Sequence, residues 1–226
     1  MRKRIKRIIA ISLIFSIFLY FLGILTGYIF SNEISKIIER KNNLTDLLNE
    51  IKVLNEEFEK LKIVSISQER CKIIEKLLEE THKTLIKYFS LLPYRLEELE
   101  LKETPKFYLE MKNEYTKLEI NAWLYSRILE ECDKKYISIL YFYKPKCSEC
   151  VKQGIEMDKI RDFLINSSYK VFVFTVDVNF NSKTLEIIKS IYNISDAPSF
   201  IFKNISFIGF TSFDEFLSFF QSLQTK

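Results

Sequence analysis

Two cysteines separated by two residues, Cys147 and Cys150, stand in the segment "YFYKPKCSECVKQG", residues 141–154. The segment begins in an aromatic run typical of a strand and ends in a sequence typical of a helix. A sulfur at a helix N-terminus meets the positive end of the helix dipole and free backbone N–H groups, which stabilise a thiolate. Because the thiolate both attacks disulfides and binds metals, the pair could exchange disulfides, hold a metal ion or staple a loop.

Three charged residues around the pair bear on its reactivity. Lys144 and Lys146 add positive charge that lowers the pKa of the Cys147 thiol, whereas Glu149 lies inside the motif and raises it. The sequence leaves the sign of the net shift open. The spacing places the second sulfur one helical turn inside the helix, close enough to attack a mixed disulfide formed by the first.

A metal site is the rival interpretation of the same two cysteines. Structural zinc takes four ligands, usually from two such pairs or from added histidines. The chain has one histidine, His82, in a lysine- and glutamate-rich stretch where we expect a solvated helix position. A two-thiolate copper(I) site stays open as an alternative. We predict no metal site and no cofactor.

The remaining cysteines, Cys71 and Cys132, each fall on the apolar face of a predicted helix. Outside a reducing cytoplasm an even number of cysteines favours pairing. A structural Cys71–Cys132 disulfide would stabilise the fold by about 4 kcal/mol on the chain-entropy model. Two free core thiols, or a relay with the Cys147/Cys150 pair, are the alternatives.

The N-terminus predicts a membrane anchor. The basic tail "MRKRIKR", residues 1–7, precedes an uncharged apolar stretch, residues 8–30. As a helix that stretch reaches roughly 35 Å, enough to span a bilayer core of about 30 Å. A cleaved signal peptide and a buried core helix are the alternatives. The positive-inside rule predicts a single-pass protein of the cell membrane, with a cytoplasmic N-terminus and an extracytoplasmic remainder.

Residues 31–133 read as a helical segment, with helices expected over residues 33–62, 68–101 and 106–132. The first of these carries a short coiled-coil-like seam, which predicts a homodimer through residues 33–62. An amphipathic helix packed on its own domain is the alternative. The chain's only dense basic cluster lies at its N-terminus, so we predict no nucleic-acid partner.

The hydrophobic period changes at residue 134, and residues 134–226 read as a separate α/β domain. The predicted order from residue 136 is β-α-β-α-β-β-α. A parallel pair joined by a crossover helix and followed by a hairpin gives a four-stranded mixed sheet flanked by helices. This α/β domain would follow an all-α segment and one transmembrane helix.

A proline just before the third predicted strand, Pro198 in "DAPSF", bears on the cysteine pair. A cis Ala197–Pro198 bond would bring backbone groups beside the cysteines, where they could pair with an extended substrate chain. An ordinary turn proline is the simpler alternative.

On these residues, 136–226 resemble the thioredoxin fold: a strand, C-x-x-C, a helix, the strand "VFTVDVN", a helix, "DAPSF", a hairpin and a last helix. The resemblance implies thiol–disulfide oxidoreduction, with Cys147 as the attacking cysteine, Cys150 as the resolving cysteine and Pro198 as the cis-proline that shapes the site. The whole chain is similar to membrane-anchored thioredoxin-domain proteins of bacteria and archaea.

Several residues depart from the thioredoxin pattern. Ser148 and Glu149 replace the Gly-Pro between the cysteines, and Lys146 stands where a tryptophan is usual. Tyr141 falls where thioredoxin has a buried acidic residue that assists proton transfer. Ala197 is smaller than the usual residue before the proline. These departures point to a specialised redox role rather than general reductase activity.

The sequence therefore predicts an extracytoplasmic, membrane-anchored protein disulfide oxidoreductase that acts on secreted or membrane proteins carrying thiols or disulfides. The alternative is a redox-inactive, membrane-anchored adaptor, in which the thioredoxin fold and the helical segment bind a partner and the disulfide is static.

Overall fold

The computed structural model describes residues 20, 21, 24, 25, 42, 44–60, 68–89 and 105–224. The predicted membrane span, residues 8–30, and the end of the predicted second helix near residue 101 lie largely outside these ranges. Within them, no helix combines the length and the apolar character needed to cross a membrane. The chain forms two compact units, Met1–Glu50 and Ile51–Lys226. Residues 44–50 are helical in the first unit, and residues 51–60 are helical in the second.

The second unit carries two long helices followed by an alternating α/β region. In chain order the elements are helix α1 (Gln68–Phe89), helix α2 (Pro105–Cys132), strand β1 (Tyr136–Tyr143), helix α3 (Ser148–Asn166), strand β2 (Lys170–Asp177), helix α4 (Lys183–Tyr192), strand β3 (Ser199–Phe202), strand β4 (Ile205–Ile208) and helix α5 (Phe213–Gln224). From β1 onward this is the order that the sequence predicts.

The four strands form one mixed sheet in the order β2-β1-β3-β4. Strand β1 pairs parallel with β2 and antiparallel with β3, which forms a hairpin with β4. The register aligns Tyr143 with Asp177 and Phe142 with Ser199. The end of β1, the end of β2 and the start of β3 therefore meet at one edge of the sheet, and the cysteine pair follows β1 there.

The sequence of β1 explains its central position. Its run "YISILYFY" is buried at every residue except the last. Strands buried on both faces read as continuous apolar runs rather than as alternating ones. The four-stranded mixed sheet flanked by helices is thus confirmed in the described part of the chain.

One face of the sheet packs against α3 and α5 through aromatic side chains. The Phe202 ring meets Phe216 edge to face with centroids 5.0 Å apart, and Phe163 of α3 meets Phe220 at 5.7 Å. Aromatic pairs of this kind contribute about 0.5–1.5 kcal/mol each beyond the area they bury. This cluster fixes α3, and with it the cysteine pair at its N-terminus, on the sheet.

Helix α2 packs on the opposite face and along the exposed edge of β2. Glu130 Oε1 accepts from the backbone N–H of Ser138 at 2.6 Å. The hydroxyl groups of Tyr115 and Thr175 lie 3.1 Å apart. Glu119 Oε2 accepts from the backbone N–H of Thr175 at 3.3 Å. Because β2 has a partner strand on one side only, the Glu119 contact satisfies a backbone N–H at an edge that would otherwise leave it unpaired.

Two expectations about the helical residues are wrong. His82 is half-buried, not solvated: its ring packs edge-on against Phe172 with centroids 5.5 Å apart, and burial lowers its pKa. Cys132, expected on the apolar face of α2, is exposed. The reason is that α2 packs on both α1 and the sheet, so its buried surface is not the single stripe that its apolar residues suggest.

The seam predicted for dimerisation is packed within the chain where the structure describes it. Ile51 is 1% exposed and Phe58 is 0% exposed. Tyr125 of α2 stacks on Phe58 at 5.1 Å and donates to the Phe58 carbonyl oxygen at 2.8 Å. Residues 51–60 therefore behave as an amphipathic helix packed on its own unit, which was the alternative to the coiled coil.

Candidate active site

The cysteine pair lies where β1 passes into α3. Cys147 is the N-cap residue of α3, and its Sγ accepts from the backbone N–H of Cys150 at 3.0 Å. The two sulfurs form a disulfide with the Cα atoms 5.2 Å apart. The backbone of Lys146 is in the left-handed region with φ 57°. This turn brings the chain out of β1 and into the helix, so that the first cysteine caps it.

The two cysteines differ in accessibility. Cys147 is half-buried, whereas Cys150 is 7% exposed and belongs to the core. An incoming thiolate therefore has access to the Cys147 sulfur and little access to Cys150. A disulfide with one accessible sulfur at a helix N-terminus is suited to attack at that sulfur, with the buried cysteine as the leaving group.

Two of the three charged residues predicted to tune the pair are paired with opposite charges. Lys144 Nζ lies 2.8 Å from Asp196 Oδ1, and Lys152 Nζ lies 2.9 Å from Glu149 Oε1. Lys146 is exposed and has no ion pair or hydrogen bond among the described residues. Among the three predicted tuning residues, the charge without an opposite partner is thus the positive charge of Lys146, and its effect on a reduced Cys147 stays a prediction.

The Ala197–Pro198 peptide bond is cis. Ser199, the next residue, pairs with Phe142 of β1, so Pro198 lies at the same edge of the sheet as the cysteine loop. The backbone around it is held locally: Ala197 N–H donates to Asp196 Oδ1 at 2.8 Å, and Ser199 Oγ donates to the Asp196 carbonyl oxygen at 2.7 Å. The structure therefore brings Pro198 and the cysteine pair together.

Tyr141 lies beneath the second cysteine. Its phenolic hydroxyl donates to the carbonyl oxygen of Cys150 at 2.8 Å. Burial raises the pKa of Tyr141 well above the ordinary tyrosine value of 10.0. The residue at the position of thioredoxin's buried acid is therefore a neutral hydrogen-bond donor, and it cannot take a proton from the Cys150 thiol.

A reciprocal pair of hydrogen bonds fixes α3 to the segment between β4 and α5. Gln153 Nε2 donates to the Thr211 carbonyl oxygen at 3.1 Å, and Thr211 N–H donates to Gln153 Oε1 at 2.7 Å. Gly209 in this segment has φ 82°, a conformation that other residues adopt at a cost. The first turns of α3 are therefore held in place from two sides, by the sheet and by this segment.

A buried carboxyl group lies farther along the same sheet, at the edge of β2. Glu119 of α2 is 0% exposed, and burial raises its pKa to about 8. Its Oε2 accepts a hydrogen bond from the backbone N–H of Thr175, whereas its Oε1 has no hydrogen-bond partner among the described residues. A carboxyl group in this setting holds its proton at neutral pH.

The second disulfide joins Cys71 of α1 to Cys132 at the end of α2, closing a separation of 61 residues. Cys132 stands just before the start of β1, whereas Cys147 follows its end. The eight residues of β1 extend roughly 25 Å at 3.3 Å per residue. Direct exchange between the two disulfides of one chain, the relay considered above, does not fit this arrangement.

No group of three or more His, Cys, Asp and Glu side chains within the described ranges is placed to hold a metal ion. His82 packs against Phe172 on β2 rather than near the cysteines.

Sequence reasoning missed Asp196, Gln153 and Glu119. Asp196 and Gln153 act through partners more than fifty positions away, and nothing local indicates those partners. Glu119 has the same appearance in the sequence as the exposed glutamates around it. The signal available for Asp196 was its negative charge, which could pair with a lysine of the loop before Cys147. That signal becomes informative only once the strand register is known.

Comparison with known proteins shows a similarity to a curated thioredoxin. Thioredoxin 2 of Plasmodium berghei is 33% identical over 98 residues, which cover 43% of this chain and 59% of the relative. The match thus spans less than two thirds of the relative's length. No family model matches the chain. The relative gives no support to the expected bacterial or archaeal source.

Two solved structures were also matched, each at 22% identity and over 38% of this chain. One is of thioredoxin-2, described as a component of malaria parasite protein secretion machinery, with a TM-score of 0.30 over 82% of that structure. The other is of a malarial protein, with a TM-score of 0.31 over 96% of that structure. With the sheet order described above, the thioredoxin relative identifies this chain as a thioredoxin-fold protein.

Proposed function

We propose that the protein is a membrane-anchored thiol–disulfide oxidoreductase whose reactive pair is Cys147/Cys150. The observation that carries the proposal is the asymmetry of the pair: an accessible sulfur caps α3, and a buried sulfur lies one turn inside the helix. A disulfide that only stapled a loop would have no need of this placement. Pro198 at the same edge, and the uncompensated charge of Lys146, support the same chemistry.

In the reduced protein the Cys147 thiolate attacks one sulfur of a substrate disulfide. A Cys147–substrate disulfide forms, the substrate S–S bond breaks, and one substrate thiolate leaves. Cys150 loses its proton to solvent and attacks Cys147 Sγ, so that the Cys147–Cys150 disulfide closes and the second substrate thiolate leaves. Two electrons pass from the pair to the substrate, and the reverse sequence oxidises a substrate dithiol.

We further propose that the substrates are secreted or membrane proteins, encountered on the extracytoplasmic side. The support is the basic tail, residues 1–7, ahead of the apolar stretch, residues 8–30, together with the structural Cys71–Cys132 disulfide, of a kind that persists in oxidising compartments. After reduction of intact cells, a membrane-impermeant maleimide should label Cys147. Labelling only after permeabilisation would contradict this topology.

The test of the chemistry is covalent trapping by the full-length protein. Cys150→Ser should accumulate mixed disulfides that a reducing gel resolves, because the attacking sulfur is present and the resolving sulfur is absent. Cys147→Ser/Cys150→Ser is the matched control and should trap nothing. Absence of trapped partners, together with a pair inert to glutathione buffers, would contradict the proposal.

The competing function is a redox-inactive adaptor, and Tyr141 favours it, since a neutral phenol replaces the acid that assists proton transfer in thioredoxin. In an adaptor the disulfide is static, and reduced Cys147 would react with iodoacetamide no faster than an ordinary thiol at neutral pH. A homodimer through residues 33–62 would belong to this function. The burial of Ile51 and Phe58 within the chain weighs against it, and the sedimentation behaviour of the full chain tests it.

A further inference from the structure

We propose that Lys144 and Asp196 act together as a positioning pair that holds the loop carrying Pro198 against the cysteine loop, so that a protein substrate finds both in register. The inference rests on the proposed function and extends it to residues outside the reacting sulfurs. Among the described residues no hydrogen bond joins either side chain to the sulfurs, so the proposed role is to position rather than to catalyse.

The pair joins two segments that are far apart in the sequence. Lys144 Nζ lies 2.8 Å from Asp196 Oδ1 and 3.0 Å from Asp196 Oδ2, across a separation of 52 residues. Lys144 stands three positions before Cys147, and Asp196 stands two positions before Pro198. Beyond the last β1–β3 pairing, Phe142 with Ser199, this ion pair joins the side chains of the two loops.

Asp196 transmits the contact to the backbone beside the proline. Its Oδ1 also accepts from the N–H of Ala197 at 2.8 Å, and its carbonyl oxygen accepts from Ser199 Oγ at 2.7 Å. The Asp196 carboxylate therefore bridges the lysine of one loop and the residue that precedes Pro198 in the other. The hydrogen bond from Lys144 and, after it, the one from Ala197 N–H lower the pKa of Asp196, so its carboxylate stays ionised at neutral pH.

The expected effect is small and depends on salt. The side chains of Lys144 and Asp196 are 35% and 66% exposed, and ion pairs this exposed are screened by solvent and by ions. Loss of the pair should therefore slow productive docking of a protein substrate by about two- to fivefold, without preventing the reaction of the sulfurs.

A positioning role is separable from an electrostatic effect on the thiolate. Lys144→Gln removes a positive charge and Asp196→Asn removes a negative charge, so their effects on the Cys147 pKa should have opposite signs. If the residues act by holding the loops together, both variants should instead impair protein substrates in the same direction. A small disulfide, which does not need the proline loop, reports the intrinsic reactivity of Cys147.

The experiment compares two second-order rate constants for the reduced full-length protein in detergent, one with insulin and one with oxidised glutathione. The ratio of the two is the readout, because it cancels changes in Cys147 reactivity. We expect Lys144→Gln and Asp196→Asn each to lower the ratio about two- to fivefold. Lys144→Arg, which keeps the positive charge, should retain most of the wild-type ratio, and about 1 M salt should lower the wild-type ratio to the variants' level.

Lys83→Gln is the matched control, since Lys83 forms an exposed ion pair with Glu80 on α1 at 2.7 Å, away from the cysteines. It should leave the ratio unchanged. A reactive wild type in which the two loop variants match this control, or shift the ratio in opposite directions, would overturn the positioning role alone. A wild type that reacts with neither disulfide would overturn the proposed function and the positioning role with it.

Discussion

Tyr141 donates its hydroxyl hydrogen to the carbonyl oxygen of Cys150, with the two oxygens 2.8 Å apart. The contact joins the central strand to the first turn of α3. The side chain beneath the buried cysteine is therefore a neutral hydrogen-bond donor and not a base that could accept the thiol proton. The resolving step of the proposed reaction must then release its proton to solvent. This arrangement separates the chain from thioredoxins in a way that kinetics can measure.

The first prediction concerns Tyr141→Phe. Removing one buried hydroxyl should lower the free energy of unfolding by about 1 kcal/mol. Because burial raises the pKa of Tyr141, the phenol stays protonated through the neutral range. The pH profile for resolution of a mixed disulfide should thus have the same shape in both proteins between pH 6 and 9. A titration in the wild-type profile that disappears in the variant would contradict this role for Tyr141.

The second prediction concerns Lys146→Glu. Lys146 is the predicted tuning residue that the structure leaves without a charged partner among the described residues. Reversing its charge should raise the pKa of the reduced Cys147 thiol, because a neighbouring negative charge disfavours the thiolate. The pH dependence of alkylation by iodoacetamide measures it. Lys146→Gln should give about half the shift, and equal pKa values in all three proteins would refute the assignment.

The third prediction concerns Glu119 and pH. Burial raises its pKa from 4.5 to about 8, so between these values the folded protein holds a proton that the unfolded chain has released. The free energy of unfolding should therefore fall as pH rises from about 4.5 to 8 and level off above. Glu119→Gln is neutral at every pH and should remove that slope. At pH 9 its free energy of unfolding should exceed that of wild type by several kcal/mol at most.

Glu131→Gln, on the exposed side of the same helix, is the control for this experiment and should retain the wild-type slope. A Glu119→Gln protein whose stability keeps the same pH dependence as wild type would show that the Glu119 carboxyl is ionised in the folded protein.

The fourth prediction concerns the Cys71–Cys132 disulfide. Replacing both cysteines by serine removes a cross-link between residues 61 positions apart. This should lower the free energy of unfolding by about 4 kcal/mol on the chain-entropy model. Because this bridge lies at the other end of β1, the reduction potential of the Cys147/Cys150 pair should not change. A potential that moved with the distant bridge would mean that the two disulfides are coupled.

Local signals made much of the site predictable from sequence. The run "YISILYFY" gave the bounds of β1 because a central strand is buried on both faces. The cysteine spacing and "DAPSF" then located α3 and the proline loop. These features depend on residues adjacent in the chain, which a sequence displays directly.

Partners brought together by tertiary packing were not predictable in this way. The Lys144–Asp196 pair depends on the alignment of Phe142 with Ser199, and no feature within either loop specifies it. His82 and Cys132 were misplaced for a related reason: α1 and α2 pack on each other and on the sheet, so apolar periodicity alone does not give the buried surface. Glu119 is buried in that same surface despite its charge-bearing side chain.

A redox titration of the full-length protein in glutathione or dithiothreitol buffers tests the central claim most directly. The fraction of Cys147 and Cys150 in the disulfide would be measured by trapping the free thiols and by mass spectrometry. An oxidoreductase should show one two-electron transition at this pair, within the range of about −270 to −120 mV spanned by thioredoxin-fold enzymes. A pair that stays oxidised until below about −300 mV, as structural disulfides do, would contradict the account.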